Sequence, residues 1–295
     1  MLEARSRNTD IHQLVGTPRA TLSFDMKDEW ARLRETQLYS TTLERGESSP
    51  GDPADCPWCR WINSRRSSET RDLGDQMLAT LLERESDAST AHKRFDRLAA
   101  ISTDTTRHVL TRTFVQALFD PAAARAAYED LRNDARYFRS ERGLWSTVDV
   151  DEGLFHAEDQ LLAGIIEHRL LGTDVRARFE ELEGLFINPV TGMWRGLLDA
   201  KNPGRVDEHT TDQLLSLLLR REAGLPIVSA WAHLRETGAY DAERDLWRIA
   251  TRNDIYTSRD QLLAALVAKA AAGEEREAVL STSDTIPDLL NIHHA

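Results

Sequence analysis

The sequence predicts an all-α fold of helical hairpins in two layers, either an α/α toroid, an incomplete toroid or, as the alternative, an open solenoid. Three observations carry this. An Asp-Gln pair recurs four times, at Asp75-Gln76, Asp159-Gln160, Asp212-Gln213 and Asp260-Gln261. Counting from each Gln, large apolar residues fall at +1, +2, +5 and +6, as in Leu161, Leu162, Ile165, Ile166 and Leu214, Leu215, Leu218, Leu219. A Trp precedes each pair: Trp61, Trp145, Trp194 and Trp247. A stripe this wide marks a buried helix, so the Asp-Gln helices form the inner layer and the more polar helices between them the outer one.

Taken in order, residues 1–23 show no sustained periodicity and read as an arm. Lys27 to Leu38 has helical spacing, with Asp25 as N-cap. Gly46 to Pro53 is rich in Pro, Gly and Ser and reads as a loop. Repeat units follow from about residue 56. Gly172, Gly224 and Gly273 stand where a left-handed residue ends three of the inner helices. Outer helices are expected over Pro121 to Phe138, Thr173 to Phe186 and Pro226 to Leu234. Asp159 to Asp212 spans 53 residues and Asp212 to Asp260 spans 48, but Asp75 to Asp159 spans 84, so an additional helix is expected around Thr105 to Phe119. No strand is expected. The chain divides into residues 1–55 (arm, helix and loop), 56–275 (hairpin repeats) and 276–295 (tail).

A net charge of −12 opposes a nucleic-acid partner, because phosphate contacts need a basic surface. No apolar run has membrane-helix length, and the N-terminus lacks a signal-peptide core, so the expected site is the cytoplasm. Cys56-Pro57-Trp58-Cys59 has the spacing of a redox dithiol or half a zinc site. It lacks a preceding strand and a second ligand pair, so no metal is assigned. No phosphate loop, dinucleotide fingerprint or nucleophile elbow is present, and no cofactor is expected.

The run Gly192-Met193-Trp194, Asn202-Pro203-Gly204-Arg205, Thr210-Thr211-Asp212-Gln213 resembles bacterial α/α-toroid proteins related to glycoside hydrolases and polysaccharide lyases. So does Asp245-Leu246-Trp247 followed by Tyr256-Thr257-Ser258-Arg259-Asp260-Gln261. The resemblance covers roughly residues 140–275 and implies loops that line a sugar-binding cleft. A full six-hairpin ring needs more chain than this.

Two readings of the Asp residues stay open. Glycosidic cleavage uses paired carboxyl groups, which makes Glu158, Asp159, Asp212 and Asp260 candidate catalytic residues. Equally, Thr210 with Gln213 and Ser258 with Gln261 have capping-box spacing, and an acid in the first turn suits the helix dipole. Candidate ligand contacts are His156, His209, Tyr256 and Arg259, with Trp145, Trp194 and Trp247 either stacking on a sugar or anchoring the core. The acidic run from Asp149 to Asp159 is either an acid/base or cation-binding loop or a solvated one. The function expected is therefore that of a carbohydrate-active or carbohydrate-binding protein of glycosidase or lyase type, with a glycan ligand. The alternative is a non-catalytic helical-repeat scaffold whose arm and tail dock on protein partners.

Overall fold

A computed structural model describes residues 24–35, 69–101, 105–146, 154–199, 207–251 and 256–283. Within them lie ten helices: α1 (Met26–Glu35), α2 (Glu69–Glu83), α3 (Ala88–Ala99), α4 (Thr106–Phe119), α5 (Pro121–Asn133), α6 (Ala157–Leu171), α7 (Val175–Phe186), α8 (Thr210–Glu222), α9 (Val228–Glu236) and α10 (Ser258–Ser283). The even-numbered helices are the inner set. Leu162, Leu215 and Leu263 are at most 1% exposed, as the apolar offsets require. Each inner helix packs on the next, α2 on α4, α4 on α6, α6 on α8 and α8 on α10, and α10 packs back on α2. Each of the five therefore has two neighbours from its own set. The odd-numbered helices lie outside, each packed on inner helices, as α1 is on α2 and α10.

The additional helix is α4, and it belongs to this inner set. Arg107 and His108 occupy the Asp and Gln places, with Val109, Leu110 and Phe114 at offsets +1, +2 and +6. It is a fifth, altered copy.

Several helix ends follow local chemistry. Asp25 accepts from the Lys27 N–H at 2.7 Å at the start of α1. Asp87, Asp120 and Asp174 cap the outer helices α3, α5 and α7 with their carboxylates. Gly172 and Gly224, at φ +67° and +68°, take the left-handed turn that ends α6 and α8. Gly273 does not end α10, which continues to Ser283. The residues beyond it are strong helix formers, and the extra turns are anchored. Glu274 accepts from the Ile227 N–H at 2.9 Å, and Glu277 pairs with Arg221 at 2.9 Å. The expected tail boundary at 275 thus falls inside a helix.

The expectation of no strands fails at three points. Two-residue strands β1 (Phe138–Arg139) and β2 (Leu144–Trp145) pair antiparallel. So do β3 (Leu154–His156) with β4 (Leu197–Asp199), and β5 (Tyr240–Asp241) with β6 (Leu246–Trp247). Segments this short give no readable alternation.

The hairpins explain the repeated Gln. In each of three copies, the residue after the Trp donates its N–H back across the hairpin: Ser146 to Tyr137, Arg195 to Phe186 and Arg248 to Ala239, at 2.7–2.8 Å. In an antiparallel pair the neighbouring residue then points its N–H and C=O away from the partner strand. Those two Trp groups meet the Gln side chain. Gln160 accepts from the Trp145 N–H (2.9 Å) and donates to its carbonyl (2.7 Å). Gln213 does the same to Trp194 (3.0 and 2.8 Å), and Gln261 to Trp247 (2.8 and 2.7 Å). The amide acts as one more peptide unit on the strand edge. Gln213 and Gln261 are therefore not partners in capping boxes.

The Trp rings point into the core. Trp145, fully buried, packs on Tyr128 and Phe138. Trp194 packs on Phe179, and Trp247 stacks on Trp231 with centroids 4.7 Å apart. Each ring thus meets the outer helix that precedes it. Trp58, Trp61, Cys56 and Cys59 lie outside the described residues. Among the described residues, no helix is long and apolar enough to cross a membrane.

Gln213→Ala should strip both partners from the buried Trp194 backbone and cost about 2–6 kcal/mol, at roughly 1–3 kcal/mol per orphaned group. Urea unfolding measures it. A loss below about 0.5 kcal/mol would show that the clamp does not hold the hairpin.

Candidate functional site

Inner and outer helices alternate along the chain, so the inner helices run in one direction and their N-termini share one end. That end collects charge. Glu158 and Asp159 come from α6, Thr211 and Asp212 from α8, Arg259 and Asp260 from α10, Arg107 from α4 and Asp75 from α2. Glu158, Asp159, Asp212 and Asp260 are all buried, between 0% and 5% exposed.

Arg259 crosses between helices. Its guanidinium pairs with Glu158 on α6, donates to Thr111 Oγ1 on α4 (3.0 Å) and lies 3.8 Å from Asp75 on α2. Gly74 leaves the room for it, since a Cβ there would come within 3.2 Å of Arg259 Nη1 and 3.3 Å of the His108 ring. Glu158 also accepts from Arg107 at 2.9 Å. The Arg107 side chain is 37% exposed, so the group meets solvent on that side. Asp260 is held by two hydroxyls, Thr211 donating to Oδ1 (2.6 Å) and Thr257 to Oδ2 (2.8 Å). Thr257 in turn accepts from the Asp260 N–H at 3.1 Å, which makes Thr257, one residue before Ser258, the side chain that caps α10. Asp159 Oδ1 is buried and has no hydrogen-bond partner.

Five carboxyl groups (Asp75, Glu158, Asp159, Asp212, Asp260) thus share two guanidiniums (Arg107, Arg259). The titrations diverge accordingly. Burial disfavours charge on Glu158, but Arg107 and Arg259 outweigh it and hold this carboxyl below the usual range. Burial pushes Asp159 up to about 7, with Arg107 opposing and Glu158 adding to the shift. Asp260 also rises to about 7 by burial, against its two hydroxyl bonds. Asp212 is raised well above the usual range, by burial first and then by the charge of Glu158. An ionised Glu158 beside a protonated Asp159 places an acceptor and a proton donor on one helix turn, the arrangement acid–base catalysis uses.

The expected site residues scatter by comparison. Glu158, Asp159, Asp212, Asp260 and Arg259 come together. His156 and His209 are the backbone N-caps of α6 and α8, and neither makes a side-chain cap bond. His209 stays close to Asp212 across Gly196, where a Cβ would lie 2.7 Å from the His209 ring and 2.8 Å from Asp212 Oδ2. Tyr256 goes elsewhere: its hydroxyl donates to Asp241, which also accepts from Arg244 (3.0 Å) and Arg248 (3.1 Å) in the β5–β6 turn. Trp145, Trp194 and Trp247 are in the core. Residues 149–153 of the acidic run and 202–205 lie outside the described residues. Among the described residues, no three His, Cys, Asp or Glu side chains are placed to hold a metal ion.

Sequence reasoning missed Arg107, Thr111 and Asp75 as members. The signal for Arg107 is the offset pattern of α4, hidden because a search for Asp-Gln passes over Arg-His. No protein-family model, curated protein or solved structure matches the chain.

Asp159 keeps its proton to about pH 7 when folded and loses it near pH 4 when unfolded. The unfolded chain binds fewer protons between those values, so stability falls as pH rises from about 4 to 7. Glu158 acts oppositely, losing its contribution only as pH falls through its lowered range, below that of an ordinary carboxylate. Asp159→Asn should therefore gain about 1–4 kcal/mol over the parent at pH 8, at about 1.4 kcal/mol per unit, and little at pH 4. Thermal unfolding at both pH values reads this directly, and an equal effect at the two would show that Asp159 does not titrate between them.

Proposed function

We propose that the protein is a carbohydrate-active enzyme of glycosidase or lyase type, on an α/α-toroid-like frame of five hairpins. The observation that carries the catalytic part is the divergence of buried carboxyls at one end of the inner helices: Glu158 is held below its usual range, Asp159 and Asp260 are pushed up to about 7, and Asp212 is raised. Such perturbation, in a group open to solvent beside Arg107, is characteristic of functional sites. The cyclic neighbour relations of α2, α4, α6, α8 and α10 support the frame. The carbohydrate class rests on the likeness of residues 192–194, 202–205, 210–213 and 245–261 to toroid hydrolases and lyases.

In this reading protonated Asp159 donates its proton to the leaving oxygen of a glycosidase substrate, or ionised Asp159 takes a proton from a sugar carbon of a lyase substrate. Glu158, anchored by both arginines, stays charged and stabilises developing positive charge. Arg259 positions Glu158.

The test is a screen of oligo- and polysaccharides by reducing-end release and by absorbance of unsaturated products. Wild type should turn over at least one class, and Asp159→Asn should lower kcat by about 10²–10⁴ while unfolding no earlier. Equal turnover by Asp159→Asn, Asp212→Asn and Asp260→Asn would sink the catalytic reading. No turnover of any glycan, together with a defined hetero-assembly by light scattering, would favour the scaffold.

A further inference from the structure

Arg259 is engaged on three sides, by Glu158, Thr111 and Asp75, and Arg107 gives its Nε to Glu158 at 2.9 Å. Asp159, Asp212 and Asp260 are left without a cation of their own. Asp260 is satisfied by hydroxyl donors from Thr211 and Thr257. Asp159 is not: its Oδ1 is buried, the residue is 2% exposed, and no group among the described residues donates to that oxygen. A buried acceptor with no donor is costly and uncommon in native proteins. Asp159 and Asp212 occupy the same position on the adjacent helices α6 and α8 and sit in each other's field.

An anionic ligand group fits poorly. It would meet five carboxyls, and Arg259 and the Nε of Arg107 are already taken by two of them. A neutral hydroxyl would supply one donor and no charge. A metal ion would want three or more ligands, and no such set is placed among the described residues. An ammonium needs only acceptors within reach of its three N–H groups.

We propose that the site binds a ligand bearing a protonated primary amine, whose N–H groups donate to Asp159 Oδ1 and to Asp212 in place of the protons that these carboxyls hold in the free protein. Arg107 and Arg259 hold Glu158 back as a fixed wall and do not contact the ligand as an anion clamp. The charge of the ligand follows from these contacts alone. That the amine sits on a sugar, which makes the ligand an amino sugar, rests on the carbohydrate reading above.

Calorimetric titrations at pH 7.5 with glucosamine, N-acetylglucosamine, glucuronate and the non-sugar amine cyclohexylamine separate the two parts. Glucosamine is expected to bind at least about tenfold more tightly than N-acetylglucosamine, which has the same ring without the charge. Asp159→Asn and Asp212→Asn should each weaken glucosamine about tenfold or more, with unchanged far-ultraviolet circular dichroism. If one variant fails to fold, the other carries the comparison. Cyclohexylamine binding that depends on Asp159, without sugar binding, upholds the amine inference and removes the carbohydrate one. Glucuronate binding more tightly than glucosamine overturns the amine inference and leaves the carbohydrate reading intact. Absence of amine binding by both amines overturns it as well.

Discussion

The bidentate bond between a helix-borne Gln and the backbone of a Trp sets the geometry of the repeat. Gln160, Gln213 and Gln261 each occupy the first turn of an inner helix, and each closes the open edge of the hairpin that precedes it. The clamp fixes three things together. It holds the Trp ring against the previous outer helix, it sets the distance at which the chain enters the inner helix, and it fixes the rotation of that helix about its axis. Because consecutive helical residues are about 100° apart, a Gln held on the hairpin directs the two residues before it to a different sector. Those residues are Glu158-Asp159, Thr211-Asp212 and Arg259-Asp260, and they meet residues from the other inner helices.

This constraint accounts for what is constant and what varies. The Gln is the same in its three copies because only a primary amide presents one donor and one acceptor in the geometry of a peptide. The residue two before it is Gly74, Thr106, Glu158, Thr211 or Arg259, and this variety builds an asymmetric site on a repeated frame. Arg259 reaches three helices, Gly74 makes space for it, Glu158 receives it and Thr211 serves Asp260. A frame with four identical carboxyls in identical surroundings would titrate them alike. The neighbours instead hold Glu158 low while Asp159, Asp212 and Asp260 are raised.

Much of the helical layering was legible in the sequence because it depends on local period: Leu162, Leu215 and Leu263 follow from offsets alone. The purpose of the Gln was not, since its partner lies 14 to 19 residues earlier in a strand too short to recognise. Capping-box spacing at Thr210–Gln213 and Ser258–Gln261 gave a sound local explanation that a tertiary contact displaced. Gly273 misled for a related reason, as Glu274 and Glu277 have partners that prolong α10. At the site, the Asp residues announced themselves by repetition. Arg107 did not, because it breaks the repeat, and Tyr256 drew attention by adjacency to Arg259 although its hydroxyl belongs to Asp241.

The energetics of the charged end argue against packing as its reason for existing. Burying an acid without a cation penalises the folded state at neutral pH, and a sequence shaped by stability alone would place an apolar or amide side chain there. Here three such acids stand together, and one keeps an oxygen without any donor. The clamp needs none of them, because Gln makes all of its bonds. Helix dipoles ease the burial of first-turn acids, yet that effect is about 0.3–1 kcal/mol, small beside a carboxyl shifted from the usual range to about 7. A cost carried at equivalent positions of neighbouring helices, where a single substitution in each copy would relieve it, supports the proposal that this end serves something other than the fold.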